Sequence, residues 1–534
     1  MDVVQKLQNI CWCKEPWGPP IISEEAKELL RECTNVTQPE LIDDLQEIIK
    51  RSNNFPIAFP IDTVRLKNLI RRRPIEKLKE NVRSTYPLLH ERVLILMANF
   101  LVFKRKYGSN IEKELYSKMS VIELIDRILQ KRAVCFMSRR DIYKLRTGEM
   151  GAGGWENIGT PQEYPPLVLA DYLSYDELKL SALVSVSGPT ACINDGARRN
   201  SGVVKEDNIE TDAIIIGVIG PRFERPGRVD CEDILITYEQ NCAENGYGPL
   251  PTDVPVTAKH MWRKLWADFY QISSVTYAEL TSKVTRIEEA ARDRRVFTER
   301  YTRRPVGCGA LVAAACGRRL ALLADAALLE ADTRAAAASR SRNAFVNIIG
   351  AGLGAWRISH HQLDLYILTF LQRIHSLLGD GALHNVSDVN FAYIKPGDSV
   401  LSLFNTSASE NGSTRETKLF LENEAHPKGG ISVQMEDREP SSALVGEHAG
   451  KLLVMTYAWD GNAHPGNEFW AGNLTSSGDP AAACSTQVSE LHSAAVNPAV
   501  CGRNARVAAS CGMRSLAAAA TAALRTRRES FTMI

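Results

Sequence analysis

The spacing of apolar residues divides the chain into a helical first part and a longer part of mixed character. From residue 1 to about 135, Leu and Ile recur at helical spacing among Lys and Glu, as at 40–51, 88–106 and 119–131. Because positions three and four residues apart lie on one face of a helix, this pattern predicts amphipathic helices. We therefore expect residues 1–135 to form a helical amino-terminal accessory region.

Short apolar runs separated by Gly and Pro turns dominate residues 136–500. Five of these runs have the length of buried strands, and they lie at 213–219, 233–238, 344–349, 389–394 and 452–457. A long segment of helical periodicity, 362–378, lies between two of them. Strands that alternate with helices favour a layered α/β domain with a largely parallel or mixed sheet, and we expect this domain to span 136–500.

Two stretches rich in Ala and Arg contain few large apolar side chains. The first, 307–342, lies inside the expected α/β domain, and the second ends the chain at 501–534. We expect the first to be a poorly packed helix that bridges two halves of the domain, and the second to be a tail. Neither is expected to carry chemistry.

The composition excludes several classes of function. The 534 residues are 44% hydrophobic, and 64 Lys and Arg almost balance 63 Asp and Glu. This balance argues against a nucleic-acid-binding protein. No segment has the pattern of a signal peptide or a membrane span, and the twelve cysteines form no CxxC pair or zinc-type cluster. We therefore expect a cytoplasmic protein that binds no membrane and no metal and keeps its thiols reduced.

The predicted strand at 344–349 leads into a Gly-rich turn before a helix. This turn contains Gly350, Gly352, Leu353 and Gly354. Glycines let a backbone approach a diphosphate closely, and N–H groups at a helix amino terminus add positive potential. The turn also fits the G-x-G-x-x-A fingerprint of dinucleotide-binding folds, but the next strand comes too late to supply the acidic residue that holds a ribose there. A tight strand-to-helix turn without a ligand is the other alternative.

Acidic and amide side chains follow the predicted strand at 452–457. This loop contains Asp460, Asn462, Asn467 and Glu468. In open α/β sheets, ligands bind beyond the carboxyl ends of strands, where two carboxylates can act as acid and base and carboxamides can hold a ribose diol. Asn and Asp are also common turn residues, so an ordinary loop is the alternative.

Two further segments carry candidate binding groups. Asp479 precedes Pro480 and is predicted as the N-cap of a helix whose small side chains leave its amino terminus open to an anion. Asn194, Arg198 and Asn200 follow an apolar run and combine amides with a cation, which suits hydroxyl and phosphate recognition. A hairpin-like surface loop explains the same three residues equally well.

Four segments together resemble the MavL-like macrodomains. In chain order they read YLSYDELKLSALVSVSGPTACINDGARRNSG, IIIGVIGPRF, VNIIGAGLGAW and YAWDGNAHPGNEFWAGNLTSSGDPAAA. Members of this class are described as hydrolases of mono-ADP-ribosylated arginine with a macrodomain fold. The resemblance implies that Asp460, Glu468 and Asp479 correspond to the acidic site residues of the class. Its INxGxRxN segment is matched by Asn194, Arg198 and Asn200.

The resemblance implies a macrodomain-like three-layer α/β sandwich that binds ADP-ribose and mono-ADP-ribosylated proteins without a metal or cofactor. The diphosphate would contact the Gly-rich turn, and the distal ribose would face Asp460 and Glu468. Trp459 or Trp470 could stack on adenine or cover the guanidinium, although a position in the core explains each as well. The alternatives are an ADP-ribose reader without activity and an NAD-dependent oxidoreductase.

Overall fold

Seventeen strands, numbered in chain order, form three sheets in the part of the chain that the computed structural model describes. That part comprises Gln5, Leu7 and residues 17–42, 44–282, 301–303, 309–338, 343–408 and 415–525. The strands are β1 (Tyr86–His90), β2 (Cys135–Met137), β3 (Ile142–Lys144), β4 (Met150–Ala152), β5 (Ser185–Ala191), β6 (Asp212–Val218), β7 (Leu235–Thr237), β8 (Tyr301–Arg303), β9 (Gly309–Val312), β10 (Ala344–Ile349), β11 (Val386–Ala392), β12 (Asn405–Ala408), β13 (Arg415–Glu422), β14 (Gly430–Gln434), β15 (Leu452–Ala458), β16 (Arg506–Ala509) and β17 (Gly512–Ser515). Eleven of them join one mixed sheet, and the others form the small sheets β2-β3-β4 and β7-β9-β8.

Five neighbouring strands at the centre of the large sheet run parallel. The strand order is β12-β13-β14-β11-β10-β15-β6-β5-β1-β16-β17, and every neighbouring pair from β14 to β6 is parallel. Towards both margins the pairs are antiparallel, except that β1 and β16 are parallel. Because the five central strands share one direction, their carboxyl ends meet at one edge of the sheet.

Helices pack on this sheet and on one another. Those in the described residues are α1 (Glu24–Thr34), α2 (Leu45–Asn53), α3 (Leu66–Leu69), α4 (Ile75–Arg83), α5 (Glu91–Tyr107), α6 (Asn110–Tyr116), α7 (Val121–Gln130), α8 (Tyr175–Ser181), α9 (Cys231–Ile234), α10 (Ala258–Tyr270), α11 (Tyr277–Ser282), α12 (Ala313–Ala337), α13 (His361–Gly379), α14 (Asp398–Leu401), α15 (Asp479–Ser485), α16 (Val488–Leu491) and α17 (Leu516–Arg525). Within these described ranges, no helix combines the length and the apolar character that crossing a membrane requires.

The Ala-rich helix α12 lies across the large sheet and is mostly buried. Its contacts in this sheet are with β1, β6, β10, β11, β15, β16 and β17, and it also packs against helix α13. Its buried polar groups are paired: Arg319 donates to Asp230 at 3.1 Å, and Glu330 accepts from Ser187 at 2.6 Å. Small side chains let a helix approach a sheet closely, so dense packing does not need large apolar groups. The expectation that this helix packs poorly is therefore wrong.

Strands from both ends of the chain join the large sheet. The helix expected over 88–106 begins only at Glu91, because the preceding residues form β1. At the other end, β16 and β17 pair within the sheet, and α17 packs against α1 and α5. The division into an accessory region, a central domain and a tail stays a prediction, but the large sheet contains strands from all three segments.

Most strands and helices expected in 136–500 occur in the structure. The runs at 344–349 and 452–457 are β10 and β15, and the helical pattern at 362–378 lies within α13. The run at 389–394 is displaced, since β11 begins at Val386, and 233–238 divides between α9 and β7. The predicted α/β class with a mixed sheet is confirmed.

Candidate functional site

A cavity of about 900 Å³ opens at the carboxyl edge of the parallel strands. Its walls are loops that follow four of these strands, with Arg222 after β6, Gly352 after β10, Tyr393 after β11 and Asp460 after β15. Ligands of open α/β sheets usually bind at this edge. The volume lies in the range found for small-molecule and cofactor sites.

Asp460 follows β15 directly and is held through both of its carboxylate oxygens. Oδ1 accepts hydrogen bonds from the N–H groups of Asn462 at 3.0 Å and Ala463 at 3.3 Å. Oδ2 accepts a hydrogen bond from the carboxamide of Asn467. That carboxamide also bonds the N–H and the C=O of Phe136, at 2.9 and 3.2 Å. The loop after β15 is thereby fixed to β2, and the carboxylate is fixed in the cavity wall.

Burial and the charges of neighbouring acids raise the pKa of three carboxyl groups in this part of the cavity. Asp460 is 7% exposed, and burial together with the charge of Glu468 raises its pKa to about 7. Burial, followed by repulsion from Asp460 and Glu468, raises the pKa of Asp479 well above its usual range. Burial and the charge of Glu224 raise the pKa of the half-buried Glu468. Near neutral pH the three groups can therefore combine protonated and ionised forms, as acid–base chemistry requires.

Asp479 does not cap helix α15, which corrects the sequence prediction. The helix begins at Asp479 itself, and Gly478 occupies the N-cap position without a side-chain bond. Instead, Asp479 Oδ1 accepts a hydrogen bond from the N–H of Gly466 at 2.7 Å. Its Oδ2 is buried and has no hydrogen-bond partner within the described residues. The Asp479 side chain therefore stabilises the loop after β15 rather than its own helix, because the backbone N–H of Gly466 in that loop donates to it.

Arg222, which follows β6, is a functional candidate that the sequence reasoning missed. Its buried guanidinium donates to the C=O of Asp460 at 3.3 Å, to the carboxamide oxygen of Asn462 and to the C=O of Leu178 at 2.8 Å. Its Nε lies 3.4 Å from Oδ2 of Asp230. These contacts hold the loop after β15 against α8. Arg222 lies near the end of the segment IIIGVIGPRF, so the rule that singled out Asp460 after a strand end could also have found it.

A second arginine, Arg132, lies beneath the same loop. Its guanidinium carbon is 4.0 Å from the centre of the Trp459 ring, and its Nε and Nη2 have no hydrogen-bond partner in the described part of the chain. Burial lowers the pKa of Arg132 to about 9, although the charge of Asp460 opposes this. Nothing in the local sequence distinguishes Arg132 from a surface cation, so only the tertiary structure reveals it.

The turn after β10 lines the cavity, and its lining residues include Gly350, Gly352, Leu353 and Gly354. Gly352 has a φ of +78°, and a Cβ there would lie 3.0 Å from the C=O oxygen of Pro221. The N–H groups of Gly352 and Gly354 donate to no acceptor within the described residues. Helix α13 begins only at His361, so the turn itself, rather than the helix terminus, supplies free amides at this wall.

The loop after β5 contributes Arg198 to the cavity wall, but not Asn194 or Asn200. The Asn194 carboxamide donates to the C=O of Val203 at 2.9 Å. The Asn200 carboxamide donates to the C=O of Ala481 at 3.1 Å. Both amides therefore shape this loop, and Asn200 attaches it to α15, whereas Arg198 is exposed.

The two tryptophans of the loop after β15 are both buried. The indole N–H of each donates to a carbonyl oxygen within the same loop, at 3.0 and 2.8 Å. Trp459 lies in the cavity wall with Arg132 over its ring, whereas Trp470 packs on Phe55 and Phe59. Trp470 is therefore a core residue, and Trp459 is the one of the two that borders the cavity.

The fold and the site define an α/β protein with an enzyme-like cavity at the carboxyl edge of its parallel strands. The cavity combines buried carboxyls suited to acid–base chemistry with free backbone amides, and the described residues contain no cluster of side chains that could hold a metal ion. The family model for ADP-ribosylhydrolases of the MavL-like type matches residues 46–521. The chain belongs to this family.

Two proteins of Drosophila melanogaster are similar to almost the whole chain. ADP-ribosylarginine hydrolase CG2909 is 36% identical over 502 residues, which cover 93% of this chain and 93% of the relative. ADP-ribosylarginine hydrolase CG3568 is 36% identical over 477 residues, which cover 88% of this chain and 87% of the relative. The similarity therefore extends over most of the chain.

Proposed function

We propose that this protein is an (ADP-ribosyl)hydrolase that removes mono-ADP-ribose from arginine side chains of proteins. The observation that carries the proposal is the group of carboxyls with raised pKa, Asp460, Glu468 and Asp479, in the wall of a cavity large enough for ADP-ribose. Membership of the family and the names of both relatives support it.

The proposal includes a macrodomain-like three-layer sandwich over about 136–500, extended by strands from both ends of the chain. The parallel centre of the sheet and the cavity at its carboxyl edge support this architecture. We place the protein in the cytoplasm, where its partners are ADP-ribose and mono-ADP-ribosylated proteins and neither nucleic acid nor membranes. The balanced charge of the chain supports the exclusion of nucleic acid.

ADP-ribose is proposed to lie across the carboxyl edge of the sheet. The free amides of Gly352 and Gly354 suit its diphosphate, and Arg198 offers a positive charge from the loop after β5. The distal ribose then reaches Asp460 and Glu468. Because the Asn467 carboxamide is committed to Asp460 and Phe136, its proposed role is to orient Asp460 rather than to hold the ligand directly.

Hydrolysis forms one bond and breaks one at the anomeric carbon of the distal ribose. The oxygen of a water molecule bonds to this carbon, while the C–N bond breaks and its electron pair stays on the guanidine nitrogen. Ionised Asp460 accepts the proton of the water, which then passes to the guanidine, so that arginine leaves as its ordinary cation. Glu468 stabilises the positive charge that develops on the ribose, and protonated Asp479 donates a hydrogen bond from its free oxygen.

The test is incubation of the full chain with proteins that are ADP-ribosylated separately on arginine, serine and glutamate, followed by detection of released ADP-ribose. We expect release from the arginine-modified protein. Tight binding of ADP-ribose without any release would replace the enzyme with a reader. Thermal stabilisation by NAD but not by ADP-ribose would favour an oxidoreductase.

A further inference from the structure

A buried acid with one oxygen that accepts no hydrogen bond from the described residues lies in the wall of the cavity, in addition to the reacting carboxyls. Asp141 is 1% exposed, and its Oδ2 has no hydrogen-bond partner in the described part of the chain. Burial raises the pKa of Asp141, and its contact with the hydroxyl of Tyr175 opposes this rise. Asp141 and Tyr175 line the same cavity as Asp460.

Arg225 already presents a guanidinium to Asp141 and Tyr175. Its Nη1 lies 3.4 Å from Oδ2 of Asp141, and its guanidinium carbon lies 6.0 Å from the centre of the Tyr175 ring. The ion pair is loose, because Nη1 also donates to the C=O of Arg139 at 2.6 Å and the Arg225 side chain is 31% exposed. A carboxylate beside an aromatic ring suits a guanidinium, since ion pairing and stacking act together.

Two links fix these residues relative to the reacting carboxyls, and the first runs through β2. Asp141 lies in the turn that joins β2 to β3. Phe136 of β2 bonds through its N–H and C=O to the carboxamide of Asn467, which also donates to Asp460. The acid that binds Arg225 is therefore carried by the same short hairpin that positions Asp460.

The second link runs through α8. Tyr175 is the first residue of this helix, and the C=O of Leu178, one turn later, accepts a hydrogen bond from Arg222. Arg222 also donates to the C=O of Asp460. Glu224, two residues after Arg222, lies close enough to raise the pKa of Glu468. The aromatic ring and the loop of Arg225 thus border the reacting end of the cavity.

We propose that Asp141 and Tyr175 recognise the guanidinium of the modified arginine, and that Arg225 competes with the substrate for this site. The inference rests on the proposed function, because the arginine must approach the end of the cavity where the reacting carboxyls lie. The modified guanidinium keeps its positive charge, so the carboxylate can accept two of its hydrogen bonds while the ring covers its face. ADP-ribose has no such cation, so the site selects the linkage without binding ADP-ribose.

The first test compares Asp141→Asn with a matched control, Glu156→Gln. Both acids pair with Arg225, but Glu156 lies 3.9 Å from it, is exposed and is absent from the cavity wall. With a peptide that carries one ADP-ribosylated arginine, we expect Asp141→Asn to raise the half-saturating concentration about tenfold or more, as loss of a charge-assisted hydrogen bond does. The dissociation constant for ADP-ribose should change less than about twofold, and Glu156→Gln should leave both values unchanged.

Three further substitutions separate recognition from folding. Arg225→Gln removes the competing guanidinium, so the half-saturating concentration of the modified peptide should fall. Tyr175→Leu should raise it, whereas Tyr175→Phe, which keeps the ring, should have a much smaller effect. Weaker ADP-ribose binding by Arg225→Gln would assign Arg225 to the diphosphate and overturn the proposal.

The outcomes distinguish this inference from the proposed function. If the unmodified protein releases no ADP-ribose from any linkage, the proposed function fails whatever the variants do. If it cleaves the arginine linkage while Asp141→Asn keeps the same half-saturating concentration, the function stands and the recognition site is wrong. An equal loss of affinity for ADP-ribose and for the modified peptide would also overturn the recognition site.

Discussion

Asp479 and Gly466 are joined by a hydrogen bond of 2.7 Å that leaves the second oxygen of Asp479 buried and without a partner among the described residues. One hydrogen bond does not offset the removal of a charged carboxylate from water. Asp479 therefore keeps its proton in the folded protein at pH values where the unfolded chain has lost it. Such an arrangement lowers stability and is typical of functional sites.

Replacing Asp479 with Asn should raise stability at neutral pH. A carboxyl whose pKa is raised by folding binds more protons in the folded state, so its contribution to the free energy of unfolding falls as pH rises above the unfolded pKa. Asn does not ionise and keeps an acceptor for Gly466. We expect Tm to increase by about 2–4 °C near neutral pH, and the increase should shrink as pH approaches about 4.

Calorimetry of both proteins at the two pH values measures this difference. The control is Asp171→Asn at an exposed acid, which should leave Tm unchanged at either pH. A gain for Asp479→Asn that does not depend on pH would show that the substitution acts through packing rather than through the proton.

Asp460→Asn and Glu468→Gln should slow cleavage far more than they weaken binding. Both substitutions keep the shape of the side chain while they remove the charge that the reaction needs, and Asn at 460 also loses one acceptor, which faces the Asn467 carboxamide. Loss of a general acid or base typically lowers the rate about a hundredfold to ten-thousandfold. Single-turnover release of ADP-ribose from an arginine-modified protein measures the rate, and calorimetry with ADP-ribose measures the affinity in parallel. If both variants cleave at nearly the unmodified rate, the assignment is wrong and Asp479 becomes the next candidate.

The rate of cleavage should rise with pH and level off above about pH 7, because only the ionised form of Asp460 accepts a proton and burial raises its pKa to about 7. Glu468→Gln removes a negative charge that contributes to this shift, so the residual activity should rise at a lower pH than in the unmodified protein. Single-turnover rates between about pH 5 and about pH 9 measure both curves. If the cleavage rate increases over the same pH range in both proteins, a group other than Asp460 controls the pH dependence.

Gly352→Val should abolish the thermal stabilisation that ADP-ribose gives. Gly352 has a positive φ, and an added Cβ would lie 3.0 Å from the C=O oxygen of Pro221, so the turn must move. The matched control is Gly381→Val, at a glycine with a φ of +74° and no atom within 4 Å of an added Cβ. This control variant imposes the same backbone strain at a position that is away from the cavity. Equal stabilisation of Gly352→Val and the unmodified protein would remove the turn from the binding site.

The positions of the candidate loops could be predicted from the sequence, but the contacts that their side chains make could not. Apolar runs at strand length marked β10 and β15, and the loops after them do line the cavity. Asn467 was a plausible ligand group by composition, yet its carboxamide is committed to Phe136, 331 positions earlier in the chain. Hydrogen-bond partners so distant in sequence leave no local pattern.

The fold class, the strand ends that border the cavity and, through the resemblance, the family could all be predicted from the sequence. The fold class and the strand ends follow from local periodicity, because the alternation of apolar runs, glycines and helical stripes fixes each element before the elements pack. Tertiary structure decided that the Ala-rich helix α12 is buried and that Asp479 bonds Gly466 instead of capping α15. It also brought Asp141, Tyr175 and Arg225 together. The reason is physical: burial, pKa and pairing depend on which distant groups share a low-dielectric volume, and no single segment carries that information.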